Sequence, residues 1–308
     1  MTAWNVQDIP SQSGKRVIIT GATAGLGFET ALVLAGSGVE VILTGRNAQK
    51  GQAALDQIRA QHPAALIRYE HLDLARLDSI ADFSHRFSEE FDSLDILINN
   101  AGVMAFPKRQ ITVDGFEAQF GTNYLGHFAL TAKLLPKLRN SAQPRVVNIS
   151  SLVHKMGAIH FNNLQSEQRY QPNAAYNQSK LAMLMFTLEL QRRSDAGDWN
   201  LMSNAAHPGL AKTDLIANGP GLDSFAVKSY LLIKPLISHS AAAGALPTLF
   251  AATAFDAKNA GYYGPQHLFE MKGPVGEATI ARKAKDLAIA HRLWEVSVQL
   301  TGAEWPQT

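Results

Sequence analysis

Short apolar runs alternate with longer helix-like stretches along most of this chain of 308 residues. Most of the runs are rich in β-branched residues, as strands that are buried on both faces are. Such strands, alternating with helices, form a parallel sheet that helices cover on both sides, so the pattern predicts a doubly wound α/β fold. The predicted strands are RVIIT, VEVILT, ALIRYEHL, DILIN, PRVVNIS and LMSNAAH, and the predicted helices start near Leu26 and span 48–60, 77–90, 116–138, 174–193 and 241–252.

Composition excludes several classes of function. The 28 Lys and Arg nearly balance the 26 Asp and Glu, so the net charge of +2 predicts no nucleic-acid partner. The absence of cysteine excludes disulfides, thiolate nucleophiles and cysteine-ligated metals, and the scattered histidines predict no metal site. No apolar run reaches the roughly 20 residues of a membrane span, and the polar N-terminus does not resemble a secretion signal. We therefore expect a cytoplasmic protein, with peripheral membrane contact left open.

No linker or internal repeat divides the chain, and we expect one domain over residues 1–308. The least regular stretch, at about 209–240, is rich in Pro and Gly near its start and is interpreted as a flap over the substrate. Its apolar residues favour a lipophilic substrate, although they could equally pack on the core. These residues are Phe225, Val227, Leu231, Leu232 and Leu236.

A glycine-rich turn follows the first predicted strand and opens the first helix. Glycines in such a βα turn let the backbone approach a pyrophosphate, whose charge is met by the amides of the helix N-terminus. A tight turn without a ligand is the alternative. The spacing Gly-x-x-x-Gly-x-Gly is not that of a phosphate loop, so an ATPase is disfavoured. The turn residues expected at the nucleotide are Gly21, Thr23, Ala24, Gly25, Leu26 and Gly27.

The end of the second predicted strand indicates which dinucleotide is preferred. NAD-binding folds usually place an acidic residue there, facing the adenosine ribose, whereas NADP needs room and positive charge. The chain reads Thr-Gly-Arg-Asn, without a carboxylate, and Arg46 could grip a 2′-phosphate. NADP(H) is therefore expected over NAD(H), although Arg46 could instead be a solvated surface residue.

Two Tyr/Lys pairs have the spacing that places a phenol and an ammonium one turn apart on a helix. Tyr176 and Lys180 lie in a predicted helix. Tyr230 and Lys234 lie in the flap, and the following Pro235 disfavours a continuing helix there. The second pair is therefore interpreted as flap packing and a solvated lysine.

Several motifs, each beside the expected strand or helix, resemble those of the short-chain dehydrogenase/reductase family. They are the turn Thr20 to Gly27, Asn99-Asn100-Ala101-Gly102, Asn123, Ser151, the Tyr176/Lys180 pair and Pro208-Gly209. The segments NNAGVMAFP, GFEAQFGTNYLGHF and AAHPGLAKT resemble the branch that contains retinol dehydrogenases and protochlorophyllide reductase. Ser151 and Tyr176 are 25 residues apart, about a dozen more than in many members, and we interpret the additional residues as a substrate-side elaboration.

The resemblance implies a Rossmann-type sheet and an oxidoreductase that moves a hydride between a nicotinamide and a carbonyl or alcohol substrate. Tyr176 would be the general acid/base, and Lys180 would lower the pKa of its phenol and bind the nicotinamide ribose. Ser151, more than Ser150, would hold the substrate oxygen. Asn123 would hold a water that links Lys180 to solvent, or it could be a buried asparagine without a role. Further cofactor contacts implied by the resemblance are Asp73, Leu74, Asn100, Ala101, Gly102, Pro208, Gly209 and Thr213.

Three alternatives stay open at this point. Asp73 could cap a helix as well as bind adenine. The same residues could reduce an activated carbon–carbon double bond, as protochlorophyllide reductase does, or the chain could bind NADP as a regulatory protein without turnover. Homo-oligomers, commonly formed through long helices that include the one bearing the catalytic pair, are also implied by the resemblance.

Overall fold

The computed structural model of the chain describes residues 3–104, 106–211 and 239–307. Within them, one sheet has the strand order β3-β2-β1-β4-β5-β6-β7-β8. Neighbouring strands are parallel except for β8, which pairs antiparallel with β7. The predicted doubly wound Rossmann-type sheet is therefore confirmed. The strands are β1 Arg16–Thr20, β2 Glu40–Gly45, β3 Ile67–His71, β4 Ile96–Asn99, β5 Arg145–Ile149, β6 Met202–Ala206, β7 Tyr262–His267 and β8 Lys272–Glu277.

Most of the helices lie where the alternation predicted them, with differences of a few residues at their ends. Side-chain caps explain several of the starts: Asn47, Ser240 and Asp286 each accept a hydrogen bond from a first-turn amide. None of the described helices is long and apolar enough to cross a bilayer. The helices are α1 Gly25–Ala35, α2 Ala48–Gln61, α3 Leu77–Glu90, α4 Ala118–Phe120, α5 Gly126–Arg139, α6 Pro172–Ala196, α7 Ala241–Thr253 and α8 Leu287–Thr301.

The sheet separates two hydrophobic cores. One face packs against α1, α2 and α7, and the other packs against α3, α5, α6 and α8. In α3, Ile80, Phe83 and Phe87 recur every three or four residues and are all buried, which is the spacing of a helix with one face on a core. This two-sided burial explains why the central strands are apolar throughout.

The predicted helix over 116–138 is interrupted. Residues Gly121–Leu125 form a π-helical turn between α4 and α5, so the single-helix prediction is wrong at this point. The structure also contains β7, β8 and α8, for which no element was predicted from the sequence. Pro265 in β7 and Gly273 in β8 are residues that propensity places outside strands.

The strand order reverses beside β1, because the chain leaves β1 toward β2 on one side and reaches β4 on the other. In open α/β sheets, ligands bind at such a switch point, outside the carboxyl ends of the strands. Here the glycine turn follows β1, and the Asn99 to Gly102 segment follows β4. The fold thus brings two of the predicted motifs to one crevice.

Candidate active site

The glycine turn packs directly against the end of β4. Gly21 has φ +63°, a conformation that side chains rarely adopt, and a Cβ there would lie 2.9 Å from Ala101. A Cβ on Gly27 would lie 2.5 Å from the Asn100 side-chain nitrogen. Both positions therefore require glycine for the turn and the β4 end to approach each other.

The N-terminus of α1 lacks a side-chain partner. Ala24 occupies the N-cap position with an extended backbone and forms no side-chain hydrogen bond to the first turn. The first amides of a helix need an acceptor, and an anion such as a pyrophosphate satisfies both the amides and the helix dipole. This open helix end fits the dinucleotide that the glycine turn predicts.

The residues after β4 are held by Thr20, the last residue of β1. The Thr20 hydroxyl accepts hydrogen bonds from the backbone amides of Asn100 and Ala101, both at 2.9 Å. The Asn100 side chain donates to the Thr20 carbonyl at 2.8 Å. The buried Asn99 side chain donates to Asn148 Oδ1 on the neighbouring strand β5 at 2.8 Å. These bonds fix the floor of the crevice between β1 and β4.

Arg46 follows β2 at the side of the crevice and is exposed. Its guanidinium forms no hydrogen bond or ion pair with another residue of the described ranges. An arginine in this position is available to a phosphate without first breaking an internal ion pair.

Asp73 and Leu74 line the same crevice beyond β3. The Asp73 carboxylate accepts a hydrogen bond from the Ala75 amide at 3.0 Å, which closes a turn ahead of α3. The N-cap residue of α3 is Arg76, so the alternative that Asp73 caps the helix is wrong.

Tyr176 and Lys180 lie one turn apart in α6, and both are buried, with 8% and 4% of their surface exposed. Ser151 follows β5, and its side chain is directed at the Tyr176 phenol. The Lys180 ammonium donates to the Ile149 carbonyl at 2.9 Å and lies 5.7 Å from the centre of the Tyr176 ring. A phenol, a hydroxyl and an ammonium thus meet at the carboxyl end of β5.

The two neighbouring serines have different partners. Ser150 is buried, and its hydroxyl donates to the Lys180 carbonyl at 2.8 Å, which ties β5 to α6. The Ser151 hydroxyl accepts the Val153 amide at 3.4 Å and faces Tyr176. Of the two, Ser151 is therefore placed to reach a substrate oxygen beside the phenol.

The pKa of Tyr176 differs from the sequence-based expectation. Burial raises this pKa to about 12, and the neighbouring Ser151 hydroxyl offsets the rise in part. Burial also lowers the pKa of Lys180 to about 8, because desolvation disfavours the ammonium. The expected lowering of the Tyr176 pKa by Lys180 is thus wrong for the chain by itself: burial raises the pKa of the phenol, and the Lys180 ammonium is directed at the Ile149 carbonyl. At neutral pH the phenol keeps its proton.

Asn123 lies in the π-helical turn and is fully buried. Its side chain exchanges two hydrogen bonds with the Val103 backbone, at 2.8 and 3.0 Å, and donates to the Ser179 hydroxyl at 3.0 Å. A Cβ built on Gly102 would lie 3.4 Å from Asn123 Oδ1 and 3.6 Å from Lys180 Nζ. Gly102 therefore leaves open space between the amide and the ammonium.

The Pro208-Gly209 turn after β6 forms another part of the cavity wall. Gly209 has φ +65°, and a Cβ there would lie 2.3 Å from the Met271 carbonyl. His239 contacts the Pro208 carbonyl through Nε2 at 2.6 Å. Only glycine fits this turn against the segment between β7 and β8.

All of these parts border one cavity of about 460 Å³. Asn123 does not reach its wall, although the adjacent Thr122 does. Thr213, the Tyr230/Lys234 pair and the apolar flap residues lie outside the described residues. The predicted site residues in the wall are Gly21, Thr23, Ala24, Gly25, Leu26, Gly27, Arg46, Asp73, Leu74, Asn100, Ala101, Gly102, Ser151, Tyr176, Lys180, Pro208 and Gly209.

The cavity also has an apolar part that the sequence did not single out. Val103 and Met104 follow the Asn-Asn-Ala-Gly segment, Val153 follows Ser151, and Leu210 follows the Pro-Gly turn. Each lies one or two residues beyond a predicted motif, and Val103, Met104 and Leu210 lie in the segments NNAGVMAFP and AAHPGLAKT that carried the resemblance, although none of the four was predicted as a site residue.

Comparisons with known proteins identify relatives of the chain. A model of the family described as short chain dehydrogenase matches residues 15–219. The chain is 43% identical to retinol dehydrogenase 13 of Homo sapiens, over 95% of this chain and 86% of that protein. It is 38% identical to polyprenol dehydrogenase of Mus musculus, over 96% of this chain and 86% of that one. A crystal structure of an uncharacterised protein from Mycobacterium paratuberculosis has a TM-score of 0.81 and 39% identity, and the match covers 99% of this chain and 100% of that chain.

Proposed function

Because the chain belongs to the short chain dehydrogenase family, whose members are oxidoreductases that act on CH–OH and C=O groups with NAD(P), we propose that it interconverts a lipophilic carbonyl compound and its alcohol, with NADPH as the preferred cofactor. The observation that carries the proposal is the meeting of Tyr176, Ser151 and Lys180 beside the glycine turn, in one cavity.

The preference for NADPH is inferred from the end of β2. Arg46 is exposed at the cavity without an internal partner in the described residues, and no carboxylate follows β2 to repel a 2′-phosphate. Gly45, which precedes Arg46, also lines the cavity and places no side chain there. In the same cavity, the amides of α1 would bind the pyrophosphate, and Lys180 would bind the nicotinamide ribose.

In the reductive direction, the proposed mechanism starts from the protonated Tyr176 phenol, which burial favours. When bound, the nicotinamide supplies the hydride that the carbonyl carbon receives. Ser151 donates a hydrogen bond to the carbonyl oxygen, and Tyr176 gives its proton to that oxygen as negative charge develops there. Burial keeps the phenol protonated and ready to donate. Lys180 would return a proton to Tyr176, and a water held by Asn123 in the space beside Gly102 would resupply Lys180 with a proton from solvent.

The substrate class is inferred from the apolar part of the wall. Val103, Met104, Val153 and Leu210 border the same cavity as Ser151 and offer no partner for a charged substrate. Two relatives are named as dehydrogenases of retinol and of polyprenol, and both names denote lipophilic alcohols. A long-chain aldehyde or its alcohol is the corresponding substrate here.

A substrate panel tests the proposal. Purified protein is assayed with NADPH and with NADH against lipophilic aldehydes, short polar aldehydes and activated enones, and the oxidation of the cofactor is followed by absorbance. We expect turnover of the lipophilic aldehydes with NADPH, and a substantial loss of the preference for NADPH over NADH in Arg46→Leu. Turnover of the enones alone would assign double-bond reduction instead. NADPH binding without turnover of any compound would identify a regulatory protein.

A further inference from the structure

The Pro208-Gly209 wall of the cavity depends on a buried histidine. His207 precedes the turn, is fully buried, and accepts a hydrogen bond from the Gly209 amide through Nδ1 at 3.1 Å. The Gly209 amide thus folds back onto the side chain two residues earlier, which stabilises the left-handed conformation of the turn. This hydrogen bond exists only when Nδ1 of His207 carries no hydrogen.

The surroundings of the His207 ring fix its position. The ring packs against Tyr262 with 5.2 Å between the ring centres. It also fills the space above Gly264, where a Cβ would lie 1.9 Å from Nε2. Burial lowers the pKa of His207, so the ring is neutral at physiological pH and carries one hydrogen. Because Nδ1 is the acceptor, that hydrogen lies on Nε2.

Nε2 of His207 faces Glu270, in the turn between β7 and β8. Glu270 Oε2 lies 3.6 Å away, which is longer than a direct hydrogen bond, and Nε2 has no bonded partner among the described residues. At this distance in a buried setting, the carboxylate still favours the tautomer whose N–H points toward it.

Within the described parts of the chain, every other polar contact of Glu270 also comes from a donor. Oε1 accepts the amide and the hydroxyl of Thr279, at 2.9 and 2.6 Å, and Oε2 accepts the Lys155 ammonium at 2.9 Å. Lys155 belongs to the short 3₁₀ helix Leu152–Met156, whose N-cap is Ser151. A carboxylate satisfies all of these donors, whereas an amide would place its own N–H₂ against some of them.

We propose that Glu270 is a positioning residue that fixes the Nε2–H tautomer of His207, and through it the Pro208-Gly209 wall, while Lys155 connects the same carboxylate to the segment that begins at Ser151. The inference rests on the proposed nicotinamide site, because that wall borders it. Glu270 itself does not line the cavity, so its effect on the cofactor is transmitted by His207.

The first test is the affinity for NADPH, measured by titration calorimetry without substrate. We expect Glu270→Gln to weaken binding about tenfold, since the amide competes with the Nε2–H group and no longer selects the tautomer. Glu277→Gln is the matched control. It removes an exposed ion pair with Lys258 from the same hairpin, away from the cavity, and should leave the affinity unchanged.

A double-mutant cycle separates the proposed path from a general loss of structure. In His207→Asn, the amide oxygen can take the place of Nδ1 as the acceptor for the Gly209 amide, and it has no tautomer to select. In that background, Glu270→Gln should change the dissociation constant less than about twofold. The same tenfold loss in both backgrounds would overturn the proposal.

A measurement on the unmodified protein covers the case in which Glu270→Gln does not fold. Long-range ¹H–¹⁵N NMR identifies histidine tautomers, and the His207 signal is the one that His207→Asn removes. We expect the Nε2–H tautomer, and a Nδ1–H tautomer would overturn the proposal. Absence of NADPH binding to the unmodified protein would instead contradict the proposed function, which keeps the two failures distinct.

Discussion

Gly102 shows how one missing side chain serves the proposed proton path. The residue has no left-handed backbone that would demand glycine, and the nearest atoms to an added Cβ are at ordinary contact distances. Those atoms are Asn123 Oδ1 and Lys180 Nζ, so an added Cβ would lie beside both groups of the proposed proton path. A methyl group would fit there and would occupy the space that the proposed relay water needs.

Gly102→Ala should therefore fold normally and lose turnover. We expect kcat for carbonyl reduction to fall about tenfold, because the return of a proton to Tyr176 is slowed. The melting temperature and the dissociation constant of NADPH, measured on the same protein, are the controls. Unchanged kcat would show that the space beside Gly102 carries no proton.

Features that depend on a few neighbouring residues were also the easiest to predict from the sequence. The glycine turn and the Tyr176/Lys180 pair are local patterns whose spacing carries their meaning, and their positions in the cavity agree with that spacing. His207 and Glu270 were not predicted as site residues, because they are 63 positions apart in the sequence and meet only in the folded chain.

At the scale of elements, the π-helical turn before α5 is held by a buried histidine. His127 Nδ1 bonds to the Asn123 carbonyl at 2.9 Å, and Nε2 bonds to the Thr20 hydroxyl at 2.9 Å. A π-helical turn displaces backbone carbonyls from the regular α-helical hydrogen-bond pattern, and the His127 ring is a hydrogen-bond partner for the Asn123 carbonyl. The same ring thereby connects the asparagine turn to the end of β1.

The contact between His127 and Thr20 joins residues 107 positions apart, which explains why periodicity predicted an unbroken helix. The hairpin of β7 and β8 was missed for a related reason. Its residues have poor strand propensity, and it forms because β7 pairs with β6 and β8 then pairs with β7. Long-range pairing overrides local preference in both cases.

Stability should fall in acid because of His127. Burial lowers the pKa of His127 to about 4, so between about pH 6.5 and 4 the unfolded chain binds a proton that the folded chain does not. Folding loses up to about 3 kcal/mol over this window as the pH decreases. The measurement is urea unfolding at several pH values. His127→Phe should reduce the pH slope of stability by up to about one proton, whereas His85→Gln, at an exposed helical position, should not. An unchanged slope in His127→Phe would contradict the assignment.

At the scale of the whole molecule, α8 covers the face of α5 and α6 that points away from the sheet. Trp294 of α8 contacts Phe128 of α5 with ring centres 5.0 Å apart, and the Arg193 guanidinium of α6 stacks over it at 4.3 Å. Trp305 packs on Trp294 with ring centres 4.4 Å apart. The resemblance implied homo-oligomers formed through long helices that include α6, and α8 covers part of α6 within the chain.

Trp294→Ala should therefore destabilise the whole fold and not only its last helix. Trp294 is 4% exposed, and truncation of a buried tryptophan costs about 3 to 5 kcal/mol. The free energy of unfolding, from urea titration followed by circular dichroism, measures the loss. Leu287→Ala is the control, because Leu287 opens the same helix with 67% of its surface exposed. Equal effects of the two substitutions would contradict the packing role of α8.

The central claim is that Tyr176 gives a proton to the substrate oxygen. Single-turnover reduction of a lipophilic aldehyde by NADPH-loaded protein tests this claim most directly. We expect Tyr176→Phe to slow this step at least about 100-fold while it still binds NADPH, because removal of a general acid costs a factor of this order. Tyr124→Phe is the matched control: it removes a buried phenol that bonds Ser297 in the core, away from the cavity, and should keep the unmodified rate. A rate in Tyr176→Phe equal to that of the unmodified protein would contradict the mechanism.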